Sequence, residues 1–146
     1  MSLPSGRSDI IGDSETLQRA IISKSQFTRT KRRVKPALLS PNPHVELSVS
    51  RIEGLTPLQT RELADEVARK RGKNASLGYG EILPIGVREI GLEVEPDEPP
   101  LHHANITDWP SDKDPDEQRR RQLQVVKALV EKVQLKLWDE EETTSL

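Results

Sequence analysis

Val45, Leu47 and Val49 alternate with Glu46, Ser48 and Ser50, the period-two pattern of a half-buried strand, and predict a strand near 44–51. Thr56-Pro57-Leu58-Gln59 follows, with a capping hydroxyl, a proline suited to the first helical turn and a glutamine placed to close a capping box. Leu63, Ala64, Val67 and Ala68 then recur at helical spacing. Lys70 and Arg71 stand where the helix dipole favours cations, and Gly72 offers a left-handed stop, so a helix is predicted over 57–71.

Residues 77–83 and 85–94 carry short β-like pieces broken by Gly78, Gly80, Pro84, Gly86 and Gly91, as in a twisted antiparallel meander. Glu95-Pro96-Asp97-Glu98-Pro99-Pro100 reads as an exposed turn, because proline removes hydrogen-bond donors and the acids repel; a long loop over 101–110 is expected next. Asp114-Pro115-Asp116-Glu117 is a second helix start, after which Leu123, Val126, Val130, Val133 and Leu137 form a seam that predicts a helix over 115–138. Val125 and Leu129 widen that stripe. Upstream, Ser14 caps a predicted short helix at 14–24 with Leu17, Ala20 and Ile21 on one side. The sum is an α+β protein: a small antiparallel sheet packed by two helices.

Composition changes this picture at its ends. Hydrophobic residues are 33% of the chain and charged residues 32%, too lean a mixture for the core to recruit the whole length. One domain over 44–138 is expected, between a flexible basic arm at 1–43 and a disordered acidic tail at 139–146. The net charge of -2 hides a gradient, since residues 1–39 hold eight Lys or Arg against three Asp or Glu. The absence of cysteine excludes a disulfide frame, a thiolate metal site and a cysteine nucleophile, and points to a cytoplasmic address. Phe27, Tyr79, Trp109 and Trp138 are too few for an aromatic platform for single-stranded nucleic acid or sugar. No apolar run is long enough for a membrane span, and Met1 is followed by Ser, Leu and Pro rather than by a signal sequence. No resident cofactor or metal is expected, because the chain lacks phosphate-binding glycine loops, a serine elbow and spaced metal-ligand sets.

Three places carry candidate chemistry. In residues 101–110, His102, His103 and Asp108 lie close together; an imidazole there is suited to general-base or metal chemistry, with Asp108, Glu93 or Glu95 orienting it and Arg51 in support. His44 is a further imidazole at the start of the first strand. The plainer reading turns the two histidines to opposite sides of an extended segment, one in solvent and one bonded to backbone, with Ile106 and Trp109 pinning the segment to the core. In the second place, Lys24, Arg29, Lys31, Arg32, Arg33 and Lys35 form an acid-free run suited to an acidic protein surface or, through phosphates, to nucleic acid of any sequence. The third is Arg119-Arg120-Arg121 near a helix N-terminus, either neutralised by Asp114, Asp116 and Glu117 or held for an anionic partner. Trp109 and Trp138 are candidate contacts. The reading preferred from these patterns is a non-enzymatic accessory protein that docks on a larger protein partner. The alternatives are a hydrolase or nucleic-acid processing enzyme at the histidine loop, and sequence-independent nucleic-acid binding through 24–35.

Overall fold

The computed structural model describes residues 10–43, 45–98 and 101–140. Expectations for residues 1–9, His44, Pro99, Pro100 and 141–146 lie outside the described residues.

The centre is a six-stranded antiparallel sheet. Its strands are β1 (Leu17–Ile21), β4 (Leu47–Arg51), β5 (Gly78–Ile82), β6 (Glu93–Pro96), β7 (His103–Thr107) and β8 (Gln134–Leu137), in the order β6-β7-β4-β1-β5-β8. A separate hairpin pairs β2 (Phe27–Thr28) with β3 (Arg33–Val34). Helices α1 (Pro36–Leu39), α2 (Pro57–Lys70), α3 (Pro84–Glu89) and α4 (Pro115–Val130) complete the α+β architecture.

Strand alternation divides the core between the two faces of the sheet. On one face Leu17, Ile21, Leu47, Val49, Ile82 and Ile106 pack with Leu38, Leu39, Val87, Val126, Leu129 and Val130 from α1, α3 and α4. On the other, Ala64 of α2 packs with Ala20, Ile52, Tyr79 and Trp138. The start of α2 is the capping box read from the sequence: Gln59 N–H donates to Thr56 Oγ1 at 3.1 Å and Thr56 N–H to Gln59 Oε1 at 2.9 Å. Gly72 follows the helix at φ +80°, the left-handed stop expected of it. At Gly78 a Cβ would meet the Lys136 carbonyl oxygen at 2.1 Å, so only glycine lets β8 lie against β5 there.

Several expectations are corrected at the level of elements. The segment 14–24 forms no α-helix. Leu17–Ile21 is a strand flanked by β4 and β5, and burial on both faces, including Gln18 beneath α2, removes the alternation that would have marked it. The piece at 85–94 begins as α3, for which Pro84 is a helix-starting residue rather than a strand breaker, and only Glu93–Pro96 is strand. The loop expected at 101–110 contains β7, which lies inside the sheet between β6 and β4. The helix expected to reach 138 ends at Val130, and its last seam positions fall in a turn and in β8.

The basic run is likewise not an arm. Phe27 and Val34 sit directly opposite each other in the hairpin and are 7% and 1% exposed, so two apolar residues anchor the whole segment in the main core. Burying two such side chains stabilises by roughly 3–6 kcal/mol before ordering entropy is charged, enough to hold a short hairpin. Arg32 takes a left-handed φ of +53° at the turn, and Lys35 N–H donates to the Gln26 carbonyl at 2.9 Å behind it.

Candidate functional site

The hairpin delivers its cations to two places. Arg29 and Arg32 lie at the turn. There Arg29 meets Asp139 at 3.2 Å and Glu140 at 3.9 Å, and Arg32 is bonded to Glu140. The hydrogen bond from Arg32, then its charge and that of Arg29, hold the Glu140 carboxyl below its ordinary pKa, and Glu140 in turn raises that of Arg32. The contact therefore survives into mildly acid solution and is lost only as pH falls through the lowered value.

Behind the turn, β3 and the C-terminal end of α4 enclose an open cleft of about 430 Å³. Lys31, Arg33, Lys35 and Lys127 surround a floor that includes Val34, Pro36 and Val130. The one acid in its lining among the described residues is Glu131, which is bonded to Arg33. Among the described residues Lys31, Lys35 and Lys127 have no carboxylate within ion-pair distance. Lys24 stands apart, exposed on the single 3-10 turn Lys24–Gln26 that precedes the hairpin.

The arginine triplet is paired with acids of its own helix and of the turn before it. Arg119 pairs with Asp116, Arg120 with Glu117, and Arg121 with Glu117 and more distantly with Asp112. Hydrogen bonds from Arg120 and Arg121 lower the Glu117 carboxyl from 4.5 to about 2. Arg119 and Arg120 also border a larger cleft of about 610 Å³ beside Pro41 and the half-exposed Leu123.

The histidine loop does not assemble into one concave site. His103 Nδ1 lies 3.1 Å from both the backbone carbonyl and the side-chain Oδ2 of Asp97; both are acceptors, so Nδ1 carries the proton. Asn105 Nδ2 donates to the same Asp97 carboxylate at 2.9 Å. His102 lines a separate cleft of about 310 Å³ with Leu55, Leu63, Leu101 and the acids Glu62 and Glu66; neither His103 nor Asp108 lines it. Asp108 is exposed beyond the end of β7. Among the described residues no group of three or more His, Asp or Glu side chains is placed to hold a metal ion.

Both indoles are used inside the protein. Trp109 is 4% exposed and donates to the Ile106 carbonyl at 2.9 Å, pinning the loop as the plainer reading expected. Trp138 is 5% exposed, donates to Ser76 Oγ at 2.9 Å, leans on Tyr79 at 5.2 Å and lies under the Arg61 guanidinium.

Sequence reasoning named Arg51 only in support of the histidine loop and missed its burial. Arg51 is 1% exposed and donates from Nε and an Nη to the two oxygens of Glu15 at 2.6 and 2.8 Å, with Glu98, itself 4% exposed, 4.0 Å away. Its position in the alternating run, in phase with Leu47 and Val49, was the signal that this arginine faces inward. It also missed Arg19, which donates to the Leu38 and Ser48 carbonyls at 3.0 and 2.9 Å where β1 and β4 splay apart. Burial, with a smaller contribution from Arg71, lowers the Arg19 pKa to about 10.

No protein-family model, curated protein or solved structure matches the chain. Among the described residues no helix is long and apolar enough to cross a membrane.

Proposed function

We propose that the chain is a non-enzymatic accessory module of the cytoplasm that docks on an acidic surface of a larger protein partner through the hairpin and the end of α4. One observation carries this reading: the lysine-rimmed cleft over an apolar floor, in which Lys31, Lys35 and Lys127 have no acid partner among the described residues. A protein segment bearing both carboxylates and an apolar side chain satisfies rim and floor together, whereas a phosphodiester backbone has nothing to place on the apolar lining, whose exposed part is Pro36. The net charge of -2 adds to the case, because it weakens long-range attraction of a polyanion while leaving local pairing intact.

The test is affinity capture from lysate with the wild-type chain beside Lys31→Glu and Lys127→Glu variants, each with and without nuclease. A partner protein retained after nuclease, and lost with either variant, supports docking at this face. Nuclease-sensitive retention would move the assignment to nucleic acid, and equal retention by the variants would remove this face from it.

One contact favours the runner-up, a hydrolase at the histidine loop: the pairing of His103 with Asp97, which orients an imidazole as a general base requires. That reading expects His103→Gln to abolish an activity, while docking expects the variant to capture the same partner as wild type.

A further inference from the structure

The two halves of the basic face are filled unequally. Among the described residues the lysines of the cleft have no acid, whereas Arg29 and Arg32 at the turn are occupied by Asp139 and Glu140 of the same chain. These acids are delivered by a fixed mount. They directly follow Trp138, whose ring is locked by Ser76 and Tyr79, and β8 before it lies next to β3. A carboxylate held this way meets the arginines at a high effective concentration and needs little further ordering. It remains weakly bound, since Arg29 and Arg32 are 53% and 56% exposed and pairs of that kind are worth little in water. A weak, preorganised contact between a basic docking face and the chain's own acids has the properties of an internal competitor.

We propose that Asp139 and Glu140 stand in for the partner's carboxylates, and that an acidic partner segment must displace them from Arg29 and Arg32 before it seats fully in the lysine cleft. The inference rests on the docking reading and specifies both the partner and its regulation. The partner segment carries neighbouring carboxylates for the two arginines and an apolar side chain for the floor of the cleft, and the chain's own acids raise the threshold for binding it.

The experiment is fluorescence anisotropy of a labelled peptide of alternating glutamate and leucine, titrated with the full chain at low salt. The chains compared are wild type, Asp139→Asn with Glu140→Gln, Arg29→Gln with Arg32→Gln, and all four substitutions together, each checked for native circular dichroism. Removing the acids is expected to tighten binding roughly twofold to tenfold, an advantage that fades as salt approaches about 1 M. In the background lacking both arginines, removing the acids is expected to change nothing. Equal affinity with and without the acids, or weaker binding without them, overturns the competitor and leaves docking in place. A gain that persists without the arginines also overturns it, because the acids would then act through net charge alone. Peptide binding that is absent from every chain, or indifferent to Lys31→Glu, overturns the docking reading and the inference with it.

Discussion

At the scale of single residues, Arg51 and Arg19 add specific polar contacts to what the apolar core supplies. Arg51 is the cation against which Glu15 and, at 4.0 Å, Glu98 are held in the interior, and removing one member of such a cluster leaves uncompensated buried charge. Arg51→Met is expected to cost about 3–5 kcal/mol in urea unfolding; a loss below about 1 kcal/mol would mean that water or another cation takes its place. Arg19 has no carboxylate among the described residues and caps two backbone carbonyls instead. Arg19→Ala should cost about 1–3 kcal/mol by leaving the Leu38 and Ser48 carbonyls unpaired. His102 and Asp108 have φ of +71° and +67° on either side of β7, a left-handed conformation that glycine takes without strain. Asp108→Gly is therefore expected to keep or slightly raise the melting temperature and to leave partner capture intact. A variant that folds normally and loses function would return Asp108 to the chemistry.

At the scale of elements, legibility followed the local signal. The capping box at Thr56 and the alternation from Val45 to Val49 involve neighbours in sequence; the helix formed where it was expected, and the strand expected over 44–51 formed as Leu47–Arg51, because Val45 turns into a left-handed φ of +64°. β7 was hidden by composition: His103, Asn105 and Thr107 read as a polar loop, although Ala104 and Ile106 between them point into the core. β8 was hidden by coincidence, since Val133 and Leu137 fit a helical seam while Val133, Leu135 and Leu137 equally alternate. The hairpin was illegible because its stability is tertiary: Phe27 and Val34 gain a partner only when α1, α4 and β8 are in place. For α4 the depressed Glu117 carboxyl sets an acid limit. An acid with a lowered folded pKa contributes above its ordinary value, and that contribution is lost as pH falls from about 4.5 toward about 2. Glu117→Gln should flatten the acid limb of the helical circular dichroism signal between those values, and an unchanged limb would assign the acid sensitivity to other carboxylates.

At the scale of the whole molecule, the sheet separates the two candidate sites. The hairpin and α4 belong to the core on one face, while His103 and Asn105 lie on the other face of β7, in register with Ser50 and Ser48 of β4. Of the basic residues named from sequence, Arg29 and Arg32 lie at the turn and Lys24 stands apart, while folding gathers Lys31, Arg33 and Lys35 beside Lys127, a residue sequence reasoning left out. Its helical position, one turn before Glu131, could be joined to the hairpin only through the tertiary packing of α1 against α4. The histidine loop gathers no comparable set. The most direct test of the docking account is an amide chemical-shift titration of the full chain with the alternating glutamate and leucine peptide. The account predicts shifts concentrated in residues 28–35 and 127–131, with Asp139 and Glu140 moving as they leave the arginines. Shifts centred on residues 101–108, or spread evenly over the surface, would contradict it.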